Sequence, residues 1–285
     1  MGKLKIAVQK SGRLSEKSLQ LLGECGIQFE AGTHRLISLS QNFPVEILYL
    51  RDDDIPQYVG DGVADVGIVG ENIIAEKGKA LLVAEKLGFA KCHISLAMPK
   101  GTEYPGLNWF NGKRIATSYP NILQGFLNAH NLDSEIHEIS GSVEIAPGIG
   151  LADAIFDIVS TGSTLISNGL KEVEIVLNSQ AILVQAPDLN EEKKQILANL
   201  IFRIRAVQQA KKNKYILLNA PNDKLDKIIS ALPGTKSPTI MPLAMKGWSS
   251  LHSVVREDDF WEVIGKLKEF GAQGILVIPI EKMIL

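Results

Sequence analysis

The sequence predicts an α/β protein with two lobes and a separate C-terminal domain. Short apolar runs bounded by turn residues alternate with amphipathic stretches, which is typical of strand–helix units. At 285 residues the chain is long enough for two or three domains. After residue 188 the predicted element order becomes βαββαβ, which is the ferredoxin-like order.

The first lobe is predicted from three strand–loop–helix units. The strands are Leu4–Gln9, Val45–Leu50 and Ala64–Val69, and each is followed by turn residues and a helical stretch. In a parallel sheet such loops meet at the carboxyl ends of the strands, where ligands bind.

The second lobe begins where the same pattern restarts, near Lys91. We predict that residues 1–91 with 179–187 form one lobe and residues 92–178 the other, joined by crossing strands with a cleft between them. The predicted strands here are His93–Met98, Arg114–Thr117, Ile136–Ile139 and Ala154–Val159, with a return strand at Ala181–Gln185 and a helix from about Ile122 to Ala129.

Residues 188–285 are predicted to form a linker helix and the third domain. Asp188, followed by Glu191, resembles a capping box that opens the helix. Apolar positions from Ile196 to Val207 fall on one helical face. The later elements are predicted at Tyr215–Asn219, Asp223–Leu232, Thr239–Leu243, Leu251–Val255, Asp258–Phe270 and Gly274–Ile278.

The composition indicates a globular protein that does not bind nucleic acid. Hydrophobic residues make up 45%, and the formal charge is −2, whereas nucleic-acid binders carry a basic excess. The cysteines Cys25 and Cys92 do not suggest a disulfide framework, which favours a reducing compartment. No apolar stretch approaches the ~20 residues that span a bilayer, so we expect a cytoplasmic protein without a membrane partner.

The most informative segment follows the predicted strand Ala154–Val159. Ser160, Thr161, Gly162, Ser163 and Thr164 place four hydroxyl groups around one glycine before the chain turns helical. A phosphate site needs hydroxyl donors, converging backbone N–H groups and a glycine free to take positive φ. The alternative is a capped helix start, since Ser and Thr are ordinary N-cap residues.

Acidic residues accompany this segment. Asp153 and Asp157 are four apart on the predicted strand, so their side chains leave by the same face. They suit a ribose diol or a bound Mg²⁺; the alternative is a pair of solvated strand-end acids. Glu144, in a glycine-rich segment, either lines the same cleft or lies on a surface loop.

Basic residues near the loops of the first lobe would have to meet any anionic substrate. Lys10, Arg13 and Arg35 are the nearest, and guanidinium groups hold phosphates bidentately. Each is otherwise an ordinary surface residue. Glu71 lies in a strand-end segment that is either a ligand loop or a simple turn.

Several kinds of catalytic site have no counterpart in the sequence. The five histidines show no metal-ligand spacing, and the ligands of any metal stay unassigned. No Walker loop, dinucleotide glycine motif or nucleophile elbow is present. Nothing in the sequence indicates a covalent nucleophile.

The motifs taken together resemble the long form of ATP phosphoribosyltransferase over nearly the whole chain. The residues that carry the resemblance are Ala7–Leu14, Arg51–Pro56, Gly67–Asn72, Asp157–Leu165, Pro238–Leu243 and Ile278–Met283. The resemblance implies two lobes of the type II periplasmic-binding-protein kind and a C-terminal ACT-like regulatory domain. It also implies transfer of phosphoribose from phosphoribosyl pyrophosphate to N1 of ATP, the first step of histidine biosynthesis, with Mg²⁺ and with feedback inhibition by histidine.

The resemblance also assigns roles to residues. Ser160 to Thr164 would hold the 5′-phosphate, with Asp153 and Asp157 near the ribose. Lys10, Gly12 and Glu71 would lie on the ATP side, and Arg13 and Arg35 would act on the departing pyrophosphate. The chain would form a homo-oligomer, a dimer when active and a hexamer when inhibited.

The inhibitor site is expected at the loop Pro233–Thr239 and near Gly274. Ser237 and Thr239 offer hydroxyl and backbone groups suited to a zwitterionic amino acid. The composition alone, with two prolines, indicates only a stiff turn. The resemblance implies that this loop is part of the histidine site.

Two other functions compete with this one. A solute-binding or effector-sensing protein would share the two lobes, but it does not explain the hydroxyl-rich loop or the βαββαβ domain. A phosphoribosyltransferase that acts on another base would also fit these features. Only the resemblance of Lys10–Arg13 to ATP phosphoribosyltransferase argues against it.

Overall fold

The computed structural model describes residues 2–29, 36–232, 234 and 237–284. The chain divides into two compact units, residues 1–198 and 199–285. Two sheets lie in the first unit and one in the second.

The first sheet has six strands, and its centre is parallel. Its strands are β1 (Leu4–Gln9), β2 (Ile37–Leu39), β3 (Val45–Leu50), β4 (Val66–Gly70), β5 (Leu82–Lys86) and β11 (Ala181–Gln185), in the order β2-β3-β1-β4-β11-β5. Three helices accompany it: α1 (Arg13–Glu24), α2 (Ile55–Gly60) and α3 (Glu71–Lys77). Strand β1 is parallel to β3 and β4, and its apolar residues are buried on both faces, as in other parallel sheets.

Close packing of α2 on this sheet depends on Gly67 in β4. A Cβ atom built at Gly67 would lie 2.6 Å from Ile55 Cγ2 and 3.0 Å from Val59 Cγ2. Real Cβ atoms do not approach carbon this closely, so only glycine fits between the strand and the helix.

The second sheet has five strands. They are β6 (Cys92–Pro99), β7 (Arg114–Thr117), β8 (Glu135–Glu138), β9 (Ala154–Val159) and β10 (Leu170–Ser179), in the order β10-β6-β9-β7-β8. Strands β7, β8 and β9 are parallel, whereas β6 and β10 are antiparallel to their neighbours. Helices α4 (Pro120–Ala129) and α5 (Ser163–Ser167) follow β7 and β9, and apolar clusters cover both faces of the sheet.

The chain passes twice between these two sheets. It leaves β5 through residues 87–91 to enter β6, and it leaves β10 through Gln180 to enter β11. The predicted two lobes joined by crossing strands are therefore confirmed. We call the six-stranded sheet with α1–α3 the first lobe and the five-stranded sheet with α4 and α5 the second lobe; the residue ranges predicted for the lobes remain a proposal.

Three strands were not predicted from the sequence, and each lies at an edge of its sheet: β2, β5 and β10. Edge strands bury little, so they lack the continuous apolar run that reveals a central strand. In β10, Lys171, Glu172 and Glu174 interrupt the apolar residues.

The linker helix α6 (Glu191–Lys212) begins later than its predicted cap. The side chain of Asn190 accepts the backbone amide of Lys193 at 2.9 Å, which makes Asn190 the N-cap residue. The predicted capping box of Asp188 and Glu191 is therefore wrong. An asparagine two residues on satisfies the free amide instead.

The second unit contains one antiparallel sheet backed by helices. The sheet order is β13-β14-β12-β15, from β12 (Asn213–Pro221), β13 (Thr239–Pro242), β14 (Trp248–Arg256) and β15 (Gln273–Pro279), with helices α7 (Leu225–Ala231) and α8 (Glu257–Glu269). Apolar residues of β12 and β14 pack against the two helices to form its core. This is the ferredoxin-like arrangement predicted from the βαββαβ order.

Candidate active site

The loops that follow β1, β3 and β4 lie at one edge of the first lobe's sheet. These strands are parallel, so their carboxyl ends coincide. Gly12 takes a φ of 92° just before α1, and its carbonyl accepts the Glu16 amide at 3.1 Å. The side chains of Lys10 and Arg13 are exposed here, where an anionic ligand can reach them.

Glu71 lies at the same edge but is engaged by a lysine. Its carboxylate is 3.0 Å from Lys86 Nζ. A cavity of about 500 Å³ lies beside this ion pair, where the chain crosses between the lobes. Its other lining residues are Lys91, Cys92 and Leu177–Gln180.

The hydroxyl-rich loop lies at the carboxyl end of β9. Gly162 has a φ of 74° and precedes α5, which confirms the predicted need for a positive φ. The Thr161 and Ser163 hydroxyls are 3.0 Å apart. The side chains of Ser160, Thr161, Ser163 and Thr164 are all exposed to solvent.

Asp157, three residues before this loop, is only partly exposed. Burial raises the pKa of its carboxyl to about 6, and the charge of Glu144 raises it further, while a hydrogen bond from the Ile158 amide opposes the rise. Across the sheet it pairs with Ser95, whose buried hydroxyl has no hydrogen-bond partner. Ionising a partly buried carboxyl costs free energy unless a ligand donates hydrogen bonds to it or places a positive charge beside it.

We expect Asp157→Asn to stabilise the protein in a pH-dependent way. The raised pKa means that the folded protein holds the proton more tightly than the unfolded chain does. Asp157 therefore contributes stability below about pH 3.8, and that contribution is lost as the pH rises through about 6. The variant should exceed the wild type in free energy of unfolding by ~2 kcal/mol at pH 7.5 and by only ~0.5 kcal/mol at pH 4. Urea titrations at both pH values measure this, and an equal gain at both would contradict the burial of a charged Asp157.

Asp153 does not accompany Asp157 into this region. Its backbone amide donates to the Arg114 carbonyl at the amino end of β7. Because β7 and β9 are parallel, Asp153 lies at the amino ends of these strands, whereas the hydroxyl-rich loop follows their carboxyl ends. Its carboxylate accepts the Arg114 amide at 2.9 Å, and this hydrogen bond lowers the Asp153 pKa. The structure therefore places Asp153 at the other end of β9 from Asp157, and its role at the ribose stays a prediction. Four residues on one strand share a face, yet they are ~13 Å apart along it.

Sequence reasoning missed a polar network that joins the lobes. Asn72 Nδ2 donates to the Tyr119 hydroxyl at 3.2 Å, and Ser179 Oγ donates to Asn72 Oδ1 at 2.9 Å. Burial raises the pKa of Tyr119, and the charge of Asp157 adds to the rise, so the phenol stays protonated. Asn72 ends the segment Gly67–Asn72 that carries part of the resemblance, but no local pattern connects it to Tyr119 or Ser179.

The residues predicted to bind histidine lie apart within the second unit. Ser237 and Thr239 are exposed at β13, at one edge of the sheet, whereas Gly274 has a φ of 56° in β15, at the other. Strands β14 and β12 separate them, so the two edges are ~14 Å apart. One small ligand therefore cannot touch all three residues within a single domain.

Arg35, the metal ligands and a membrane-spanning segment are the remaining features that the sequence raised. Arg35 lies outside the described residues. Within residues 2–29, 36–232, 234 and 237–284, no three His, Cys, Asp or Glu side chains group as metal ligands. No helix in those ranges has both the length and the apolar character needed to cross a membrane.

Comparison with known proteins finds full-length relatives. The model of the ATP phosphoribosyltransferase family matches residues 51–206, and that of the HisG C-terminal domain matches residues 210–282. An ATP phosphoribosyltransferase of Cytophaga hutchinsonii is 62% identical over 281 residues, covering 99% of this chain and 98% of that protein. One of Bacteroides thetaiotaomicron is 60% identical over 282 residues, covering 99% and 100%.

Solved structures agree with these relatives. The ATP phosphoribosyl transferase (HisG:HisZ) complex from Thermotoga maritima has a TM-score of 0.61 at 31% identity, over 71% of this chain and 98% of that one. A probable amino-acid ABC transporter extracellular-binding protein from Bacillus subtilis has a TM-score of 0.50 at 12% identity, over 73% and 93%, and shows the fold alone. The two lobes thus have the periplasmic-binding-protein-like architecture. The chain is an enzyme of the glycosyltransferase class and belongs to the ATP phosphoribosyltransferase family.

Proposed function

We propose that this enzyme transfers the phosphoribosyl group of phosphoribosyl pyrophosphate to N1 of ATP, giving phosphoribosyl-ATP and pyrophosphate, as the first step of histidine biosynthesis. The observation that carries the proposal is the exposed loop Ser160–Thr164, with Gly162 at positive φ, in a chain that matches its relatives over 99% of its length. A solute-binding protein has no evident use for such a loop beside a partly buried carboxyl.

The second lobe would bind phosphoribosyl pyrophosphate. The backbone amides and hydroxyls of Ser160, Thr161, Ser163 and Thr164 suit the 5′-phosphate, and Gly162 lets the chain curve around it. Asp157 would accept hydrogen bonds from the ribose hydroxyls, which would offset the cost of ionising it where it is partly buried. Glu144 is near enough to act on Asp157 electrostatically and would border the same ligand.

The first lobe would bind ATP and face the pyrophosphate. Lys10 and Arg13 present exposed cations next to Gly12, and Arg35 would add another. Glu71 would act through its ion pair with Lys86, because this pair keeps the Lys86 ammonium group at the same end of the strands. Arg13 and Arg35 would neutralise the charge that grows on the leaving pyrophosphate.

The reaction requires no protein nucleophile. The lone pair on adenine N1 forms the new bond to the ribose C1, while the C1–O bond breaks and its electron pair leaves with pyrophosphate. The main barrier is the charge separation at C1 and the leaving group. The residues of this chain would therefore act by orienting the two substrates and stabilising charge.

Magnesium fits the residues present. Mg²⁺ binds one or two carboxylates together with substrate phosphates rather than an all-protein cage. Asp157 and Glu144 are two acids close enough to interact, and no three-residue ligand cluster occurs in the described residues. When bound, the ion would neutralise charge on pyrophosphate.

The direct test is to incubate the protein with ATP, phosphoribosyl pyrophosphate and Mg²⁺. Product formation is followed by the absorbance of the N1-substituted adenine and by pyrophosphate release. A parallel series replaces ATP with free adenine, guanine or GTP. Turnover only with one of these would assign the enzyme to another base, and binding without turnover of any would indicate a solute-binding protein.

Histidine would inhibit the enzyme through the second unit. Because the β13 and β15 edges are ~14 Å apart, histidine would lie where the Ser237 and Thr239 edge of one domain meets the Gly274 edge of another. The active form would be a homodimer and the inhibited form a hexamer. Light scattering with and without histidine checks this, and one unchanged mass would contradict it.

We expect Ser237→Ala with Thr239→Val to keep catalytic activity but to raise the histidine concentration needed for inhibition at least ~5-fold. Each lost hydrogen bond to a charged ligand removes ~1.5–3 kcal/mol of binding. Both side chains are exposed, so the fold should persist. Ser230→Ala is the matched control, since the Ser230 hydroxyl donates to the Asp226 carbonyl within α7. Unchanged inhibition in an active double variant would place histidine elsewhere.

A further inference from the structure

Helix α3 of the first lobe holds the start of α4 in the second lobe. Glu76 is only 7% exposed, and its carboxylate accepts the backbone amides of Asn121 at 2.9 Å and Ile122 at 3.0 Å. In return, Asn121 Nδ2 donates to the Glu76 carbonyl at 3.1 Å. Three hydrogen bonds therefore join the lobes at this point.

This arrangement supplies a helix cap from another part of the chain. The first amides of a helix have no partner inside it and are usually bonded by the N-cap side chain. In α4 the N-cap residue is Tyr119, whose side chain makes no such bond, and Pro120 has no amide to donate. The negative charge of Glu76 thus meets both the free amides and the positive end of the helix dipole.

A second contact fixes the residue just before α4. The Tyr119 hydroxyl accepts Asn72 Nδ2, and Asn72 is in turn bonded through its backbone amide to Ser179 Oγ at 3.1 Å. Tyr119 is also close enough to Asp157, which precedes the hydroxyl-rich loop, for the charge of that carboxylate to raise the Tyr119 pKa. The segment 119–122 therefore connects α3 of the first lobe to the neighbourhood of Asp157 in the second.

We propose that Glu76 is a positioning residue, which holds segment 119–122 against α3 and so sets the separation of the two substrates. The proposal rests on the proposed function, in which ATP binds the first lobe and phosphoribosyl pyrophosphate the second. Each substrate keeps its own binding residues when the contact is lost. The alignment of N1 with C1 is what changes, and a misplacement of ~1 Å costs on the order of 100-fold in rate.

The test compares Glu76→Gln and Glu76→Ala with the wild type. Glutamine keeps the shape and one acceptor oxygen but loses the charge, whereas alanine removes the contact. We expect kcat to fall ~10-fold for Gln and ~100-fold for Ala, with the KM of each substrate within ~2-fold of wild type. Hydrogen exchange at the Asn121 and Ile122 amides should accelerate in the same order.

Asp65→Asn is the matched control. Asp65 is also a buried carboxylate, 5% exposed, and accepts the Lys5 amide at 2.8 Å and Lys193 Nζ at 2.7 Å, but it does not touch the second lobe through these bonds. It should lower Tm and leave kcat unchanged. If Glu76→Gln and Glu76→Ala also lower only Tm, or raise KM at constant kcat, the positioning role is overturned. A wild type inactive with ATP would instead overturn the proposed function.

Discussion

Gly162→Val should reduce kcat/KM for phosphoribosyl pyrophosphate by at least ~100-fold while the protein remains folded. Gly162 has a φ of 74°, a conformation that a β-branched residue resists at a cost of at least ~1–2 kcal/mol. A Cβ atom built at Gly162 meets no other atom within 4 Å, so the substitution creates no clash inside the protein. The loop would relax to another backbone conformation, and its amides would no longer point at the phosphate.

Gly169→Val is the control for backbone strain. Gly169 has a φ of 71° just after α5, and its Cβ position is equally open. The strain is therefore similar, but the residue lies outside the loop Ser160–Thr164. We expect a comparable loss of stability with activity within ~3-fold of wild type, because strain outside the ligand contacts acts mainly on folding. Normal affinity for phosphoribosyl pyrophosphate in Gly162→Val, measured by calorimetry, would remove the loop from the site.

Gly67→Ala should lower the free energy of unfolding by ~2–3 kcal/mol. Its new Cβ atom would lie 2.6 Å from Ile55 Cγ2, so α2 has to move away from β4. Overpacking a filled core costs ~1–3 kcal/mol, and the residues around Gly67 are fully buried. Urea or thermal unfolding measures the loss.

Gly23→Ala is the matched control for that substitution. Gly23 lies on an exposed part of α1, and a Cβ there meets nothing within 4 Å. Alanine should stabilise the helix by ~0.5–1 kcal/mol, because it has the higher helix propensity. If both variants were equally stable, the close contact at Gly67 would be relieved by a small shift and would not constrain the fold.

The elements best predicted from the sequence are short, mostly apolar runs bounded by turn residues. Strands β1, β3 and β9 were placed at their observed bounds; most residues of β1 and β9 are buried, and most of β3 is half-buried. Helix–strand alternation and the βαββαβ order then gave the architecture. Strand β10 was missed because it is an edge strand whose charged residues interrupt its apolar run.

The candidate site was predictable only where it is local in sequence. The loop Ser160–Thr164 carries its own signal, a glycine among hydroxyl residues. The separation of Asp153 from Asp157 was not foreseen, because side-chain alternation gives the face of a strand but not the end of the strand at which a residue lies. Glu76 and Tyr119 were missed because their partners lie 40 or more positions away, and a helix cap supplied by another lobe leaves no pattern beside the helix.

The separation of Ser237 and Thr239 from Gly274 has a consequence for symmetry. A ligand held by the β13 edge of one copy and the β15 edge of the next joins unlike surfaces. Where no twofold axis relates the two copies, such a contact is head-to-tail. Repeated, it closes into a ring or continues as a filament. A ring of three such contacts, combined with a twofold dimer formed through a different surface, gives six chains. Histidine bound in this way would thus favour a closed hexamer by completing the ring, without altering the dimer contact.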